Sequence, residues 1–393
     1  LTAEPSLRTA DFDYDLPPEL IAQEPLPDRA ASRLLVVLRA ERRGGGANGR
    51  ESVRDRRAGV RPDPRDRRDS GLFRRPPMPE GDQRAIAGSV LVDSGFSQLT
   101  SLIPPGDLLV INTTRVRHAR LPGTRPSGAP AEVLLIHPEG GGTWVAMGKP
   151  GSAMQPGKRI GLGPDLEVET VEVLPDGNRL VRFIGGTAEE AMARYGRLPL
   201  PPYITRDPTE LDEIRYQTVY GRLEGSVAAP TAGLHFTEEI LDALSAKGVL
   251  VSGLDLQVGP GSFKPVEMED PRQHQMHPER YEITPRLAGL IELVREQGGR
   301  VWAVGTTVVR ALESAAGEDG TVRAGAGETR LMIAPGYRFR AVDRLITNFH
   351  LPRSTLLMLV SAFAGHGLTM AAYRHAVSRR YRFYSYGDAM VIV

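Results

Sequence analysis

A threonine and a lone histidine stand among small residues in APTAGLHFTEE, residues 229 to 239, directly ahead of a helix start. His235 there, and His350 in TNFHLPRS, are the titratable side chains best suited to moving a proton, because imidazole titrates near neutral pH. Both lie in strand-to-helix turns, and a third such turn spans 305 to 307. Turns of this kind aim backbone N–H groups and the positive end of a helix dipole at a crevice, where carboxylates, phosphates and developing anions bind. Thr231 and His235 belong to the first, Thr306 and Thr307 to the second, and Asn348, His350, Arg353 and Ser354 to the third. A hydroxyl in such a place also serves as a simple helix cap, and a histidine as a clip on loop carbonyls. Spacing alone leaves both uses open.

The elements that must carry these turns are legible from patterning. Between 113 and 186 the runs VRHARL, AEVLLIH, TWVAM, LEVETVEVL and NRLVRFI alternate and are separated by turn signals, which predicts a small antiparallel barrel. Thr187 with Glu190 forms a capping box, and LPLPPYITRDP reads as a stiff extended connector. After 225 helices and strands alternate, with Thr237 capping EEILDALSAK and RVWAV turning through Gly305 into VVRALESAA. The prediction is an α/β domain, its sheet covered by helices, interrupted by an inserted β-barrel. Its parts are 11–112, 113–186 for the barrel, and 187–393.

The chain has 393 residues and no cysteine, which excludes disulfides, thiolate metal sites and a cysteine nucleophile. The one tight histidine spacing, His274 with His277 followed by Glu279, reads as a surface loop or helix face rather than a metal site. Of 49 basic and 48 acidic residues, 13 and 8 fall between 40 and 88, leaving 36 and 40 elsewhere. That arginine-rich stretch, with its Gly, Pro and Asp, is expected to be a disordered insertion spanning about 40 to 90, either a solvated spacer or an arm for RNA phosphates. The longest apolar run, LLMLVSAFA, has about half of the roughly 20 residues of a membrane span, so a cytoplasmic protein without a membrane partner is expected. Neither GLG at 161 nor GPG at 259 completes a dinucleotide fingerprint, and G-x-S-x-G and the phosphate-binding loop are absent. Near the end, YRHAVSRRYRFYSYGDAM interleaves arginines with aromatics, a pattern shared by single-stranded RNA readers and by a solvated helix leading into core aromatics.

FDYDLPPELIAQEPLPDRAASRLLVV, GDLLVINTTRVRHARL, GRLPLPPYI, RYQTVYGRLEGSVAAPTAGLHFTEE, VGPGSFKPV, MHPERYEI, AVGTTVVRALES, LITNFHLPRSTLLMLVSAFAG and YRFYSYGDAM, in this order, closely resemble the S-adenosylmethionine:tRNA ribosyltransferase-isomerase family. The resemblance covers the chain except 1 to 10 and about 40 to 90. It implies a transferase that moves and isomerises the ribosyl group of S-adenosylmethionine onto 7-aminomethyl-7-deazaguanine at the tRNA wobble position. Epoxyqueuosine would form, with adenine and methionine released. S-adenosylmethionine would be a co-substrate, no cofactor or metal would be held permanently, tRNA would be the macromolecular partner, and the protein would act as a monomer. Under this resemblance His235 and His350 are expected to transfer protons. Asn112, Arg115, Gln217, Thr231, Gly233, Thr306, Thr307, Asn348, Tyr386 and Asp388 are expected to bind or orient substrate. Two positions depart from the family pattern: Thr113 replaces an aspartate and Gln257 a histidine. An enzyme acting on a free deazaguanine nucleoside or another small molecule, and a non-catalytic tRNA-binding homologue, stay open beside the main reading.

Overall fold

The computed structural model describes residues 7–39, 89–259, 266, 268–274 and 276–393. The arginine-rich residues 40 to 88, and most of VGPGSFKPV, lie outside these. The described strands, in chain order, are β1 Arg33–Leu38, β2 Val90–Gly95, β3 Leu108–Asn112, β4 Thr114–Val116, β5 Arg120–Thr124, β6 Pro130–Gly140, β7 Thr143–Lys149, β8 Arg159–Gly161, β9 Glu167–Val173, β10 Arg179–Ile184, β11 Leu223–Ser226, β12 Leu250–Leu256, β13 Glu279–Ile283, β14 Val301–Val304, β15 Gly325–Thr329, β16 Arg344–Asn348 and β17 Ala389–Ile392. Nine of them form one sheet in the order β15-β13-β12-β3-β14-β16-β17-β1-β2. Strands β5 to β10 close into a barrel, as the short turn-bounded runs predict.

The sheet is mixed rather than wholly parallel. Strands β12, β3, β14 and β16 run in parallel, whereas β17 is antiparallel to β16, and β1 is parallel to β17. Strands β1 and β2 pair antiparallel with Leu38 opposite Val90, so the arginine-rich stretch leaves and rejoins the sheet edge at facing positions. An insertion there changes no register inside the sheet. Two details differ from the sequence pattern. The run VRHARL contributes to two strands, since Thr114–Val116 leaves the barrel to pair in parallel with β11. Strand β8, only three residues long, was not expected; Ile160 is its one buried side chain.

Alternation along the strands feeds two cores. Leu35, Val37, Leu108 and Val110 pack with helices α5 Pro285–Glu296, α6 Thr306–Ala315, α7 Thr355–Ala364 and α8 His366–Ser378. Their neighbours Leu34, Val36, Leu109 and Ile111 face the other way, toward Phe96, Phe236 and α4 Glu238–Ala246. Both faces of the sheet are therefore covered. Among the described residues the remaining helices are the one-turn α1 Leu99–Leu102, α2 Ala188–Tyr195, opened by the Thr187–Glu190 capping box, and α3 Glu210–Arg215. Among the described residues no single helix is long and apolar enough to cross a membrane; α7 and α8 meet at a 116° bend.

Candidate active site

The parallel strands end together, and their continuations build one edge. Beyond β14, Gly305 takes φ 92°, which a side chain disfavours, and α6 begins at once. Beyond β16 the chain passes through Phe349 and His350 to Ser354, whose Oγ accepts the N–H of Leu357 at 3.2 Å and caps α7. Over this edge lies a 3-10 helix, Thr231–His235.

His235 closes that helix and is 3% exposed. Asn348, the last residue of β16, donates one amide hydrogen to the carbonyl of Tyr384 at 2.9 Å and the other to His235 Nε2 at 3.1 Å. Ser32 Oγ lies 2.9 Å from His235 Nδ1 and donates to the carbonyl of Arg29 at 3.2 Å. Because Nε2 accepts, the neutral ring carries its proton on Nδ1 and donates it to Ser32. Phe96 lies against the imidazole, with ring centroids 5.1 Å apart. Burial lowers the imidazole to about 4, against the opposing Asn348 contact and with help from the positive charges of Arg29, Arg215 and Arg382. At neutral pH the ring is thus in its proton-accepting form. His350 shares a 2.7 Å hydrogen bond between its Nε2 and Thr347 Oγ1, and burial lowers it to about 3.

Four buried polar atoms around this helix have no hydrogen-bond partner among the described residues: Thr218 Oγ1, Tyr220 Oη, Thr307 Oγ1 and Asn348 Oδ1. Tyr220 and Thr218 press on Gly233, where an added Cβ would meet Tyr220 Oη at 2.1 Å and Thr218 Cγ2 at 2.8 Å. Thr307 Oγ1 and Ala232 flank Gly305, at 3.5 and 3.6 Å from the same kind of added atom. Leaving such groups buried and unpaired costs about 1–3 kcal/mol each, so their convergence on one short helix marks a place built for polar recognition. A cleft of about 560 Å³ opens nearby between barrel and connector, walled by Leu134, Met147, Pro201 and Ile204. Val227 also lines it, three residues ahead of Pro230, and Ile204 packs in the same apolar cluster as Leu234 of the helix. Its size suits a substrate of nucleoside dimensions.

The other residues expected at the site are distributed differently. Asn112 is a clip: its Nδ2 donates to the carbonyl of Leu256 at 3.0 Å, while its Oδ1 accepts the N–H groups of Thr114 and Leu256. Gln217 likewise brackets Val116 through both backbone groups. Tyr386 donates to Asp212 at 2.6 Å, and Asp388 accepts from Arg33 and from the N–H of Arg382. Thr231, half-buried, opens the 3-10 helix; Thr306 is buried at the first position of α6; Arg115 is exposed on β4. The C-terminal aromatics Tyr381, Phe383, Tyr384 and Tyr386 are core residues, at most 5% exposed, so they present no face to a base.

Glu279, beside the paired histidines, is bound by Arg310 and by the N–H of Gly259, and among the described residues no cluster of three metal-ligating side chains occurs. Of the two departures from the family pattern, Thr113 donates to the Leu254 carbonyl at 3.0 Å, and Gln257 packs over Gly225. Ser32, Thr218, Tyr220 and Phe96 were not singled out from the sequence. Ser32, Thr218 and Tyr220 sit inside blocks that carry the family resemblance, whereas Phe96 follows no motif signal.

The buried imidazole has a measurable consequence. His235 binds a proton near 6.5 when unfolded and near 4 when folded, so its stabilising effect is complete above pH 6.5 and is lost as pH falls toward 4. The difference corresponds to about 3 kcal/mol. Thermal melting of the wild type should fall more steeply between pH 7 and pH 5 than that of His235→Gln; parallel curves would contradict the assigned burial.

A family model described as Queuosine biosynthesis protein matches residues 9–51 and 82–392. A curated relative from Symbiobacterium thermophilum, named S-adenosylmethionine:tRNA ribosyltransferase-isomerase, is 49% identical over 390 residues, covering 98% of this chain and 100% of its own. Relatives of the same name from Cupriavidus metallidurans and Syntrophomonas wolfei are 48% and 45% identical, each over 98% of this chain and 98% and 97% of their own. A crystal structure of S-adenosylmethionine tRNA ribosyltransferase from Thermotoga maritima is 34% identical, with a TM-score of 0.49 over 98% of this chain and 100% of that one. A match of this extent, running through every block on which the resemblance rests, leads to one conclusion: the chain belongs to the queuosine biosynthesis family of S-adenosylmethionine:tRNA ribosyltransferase-isomerases.

Proposed function

We propose that this enzyme transfers the ribosyl group of S-adenosylmethionine to 7-aminomethyl-7-deazaguanine at the wobble position of tRNA and isomerises it, giving epoxyqueuosine, adenine and methionine. The observation that carries this reading is the full-length likeness to relatives of that name, with identity reaching 49%. The site's chemistry supports it. The reaction needs a base for the carbon beside the sulfonium, whose positive charge stabilises the resulting carbanion, and a departure route for adenine. It also needs water kept out while the aminomethyl nitrogen attacks the sugar.

His235 is assigned the proton-accepting role. It is neutral, held in one tautomer by Ser32 and Asn348, and enclosed by Phe96. An imidazole of such low basicity gains little driving force of its own, so the sulfonium must supply the acidity of the carbon. Thr218, Tyr220, Thr307 and Asn348 offer the unpaired polar atoms that would orient the sugar and the leaving base. His350, anchored through Thr347, is assigned to the same edge as a second proton carrier. S-adenosylmethionine is consumed as a substrate.

The test supplies purified protein with S-adenosylmethionine and either tRNA bearing 7-aminomethyl-7-deazaguanine or the free deazaguanine nucleoside, and follows adenine release with nucleoside mass. Epoxyqueuosine in tRNA with matching adenine is the expected result. Turnover on the free nucleoside alone would replace the tRNA reading with a small-molecule one.

A further inference from the structure

We propose that Arg29, Arg215 and Arg382 form an anion subsite that grips a backbone phosphate of the RNA chain next to the reacting nucleotide. This rests on the reading of tRNA as substrate. The three guanidiniums gather on one short segment, residues 24 to 29. Arg382 donates to the carbonyl of Glu24, and Arg215 to those of Leu26 and, at 2.8 Å, Pro27. Arg29 reaches the carbonyls of Ile214, Leu234 and Arg215 at 2.7, 3.1 and 3.4 Å. All their side-chain partners are thus backbone carbonyls, and none of the three forms an ion pair with a carboxylate among the described residues. Glu24, Asp28 and Asp388 are the nearby acids: the first two are exposed, with Asp28 Oδ1 accepting the N–H of Ala30, and buried Asp388 acts on Arg382 and accepts its backbone N–H but forms its ion pair with Arg33.

Arg215 is only 9% exposed, yet its Nε has no partner; Arg382 Nη1 is also buried and unpartnered. Burial followed by the charge of Arg215 lowers Arg29 to about 10, and burial lowers Arg215 and Arg382 as well. Arg29 and Arg215 repel one another, and buried or half-buried cations without an ion-paired carboxylate are costly; an anion seated among them lowers that cost. The fork of a guanidinium fits two oxygens of a phosphate.

The surroundings favour a polyanion over a single carboxylate. Exposed Arg379 and Arg380 continue the positive surface from Arg382, and their carbonyls are both held by Arg33. The C-terminal motif thus divides its labour: Tyr381, Phe383, Tyr384 and Tyr386 are buried in the core, while Arg379, Arg380 and Arg382 carry the positive surface, Arg380 lying 3.8 Å from the exposed Glu19. The subsite also adjoins the chemistry, since the charges of all three arginines act on His235. Arg29 further touches the carbonyl of Leu234, the neighbour of that histidine.

The test measures tRNA binding over a salt series for the wild type, Arg382→Gln, Arg215→Gln and Arg382→Lys, with S-adenosylmethionine binding measured separately for each. Each glutamine variant should weaken tRNA binding about tenfold and lower the slope of log affinity against log salt by about 0.7–0.9, the loss of one phosphate contact. Arg382→Lys keeps the charge, should keep the slope, and controls for folding. S-adenosylmethionine affinity should not change. Glutamine variants with the wild-type slope and affinity would overturn the subsite. So would a loss confined to S-adenosylmethionine, which would assign the anion to its carboxylate. Wild-type protein that binds no tRNA at all would remove the substrate reading, and the subsite with it.

Discussion

His235→Ala should lower kcat by about 10²–10⁴-fold while leaving the affinity for S-adenosylmethionine within a few-fold of the wild type. The size follows from the absence of a substitute. His235 is fixed by Ser32 on one nitrogen and Asn348 on the other, and His350 is tied to Thr347 instead. Alanine also leaves a void against Phe96, so His235→Gln, which keeps a polar group in the same space, separates lost chemistry from lost packing. Both variants should fail in single-turnover adenine release. Ser32→Ala should cost far less, because Ser32 touches only the far side of the ring and sets its tautomer. A glutamine variant that turns over like the wild type would remove His235 from the chemistry. Because the folded imidazole titrates near 4, kcat/KM should show no inflection from this group between pH 6 and pH 8.

Asp212→Ala should be the most destabilising single change outside the site, lowering unfolding free energy by about 3–5 kcal/mol. The carboxylate is fully buried and collects five hydrogen bonds: two from Arg206 at 2.5 and 2.9 Å, the Thr209 N–H and hydroxyl at 2.7 and 2.8 Å, and the Tyr386 hydroxyl at 2.6 Å. Burial alone would raise its pKa, but the hydrogen bonds from Arg206, Tyr386 and Thr209 outweigh it and hold the group well below 3.8. Its stabilising effect is therefore present above pH 3.8 and is lost as pH falls below that value. One carboxylate thereby joins the start of α3, the connector and the C-terminal motif. Removing it strands Arg206 and the Tyr386 hydroxyl together. Urea denaturation at pH 7 measures the loss, and a change below about 1 kcal/mol would contradict the assigned hub.

The fold was legible where the signals are local. Thr187 and Thr237 cap the helices that their spacing announces, and the run of short alternating strands closes into a barrel. Strand direction has no local signature, so the reversal of β17 and β1 within an α/β sheet was not readable. Strand β8 escaped because three residues give too short a pattern to stand out. At the site, the three turns were visible from their polar residues, and His235 does meet Asn348 across 113 positions of chain.

The fate of the remaining polar residues depended on partners far away in sequence. Asn112 and Gln217 look like ligands in isolation, yet a strand end on one side and Val116 on the other take up their amides. Tyr220 and Thr218 show the reverse. They lie in a block that carries the family resemblance, yet it is packing against Gly233, which leaves their hydroxyls buried and unpaired, that singles them out.

The most direct measurement supplies S-adenosylmethionine labelled with ¹³C throughout its ribose, together with tRNA bearing 7-aminomethyl-7-deazaguanine, to the wild type and to His235→Gln. The account predicts that the wild type moves every labelled ribose carbon into the tRNA nucleoside, with one adenine released per transfer, and that the variant does neither while still binding S-adenosylmethionine. Adenine released without label in the tRNA, or equal label transfer by the variant, would contradict it.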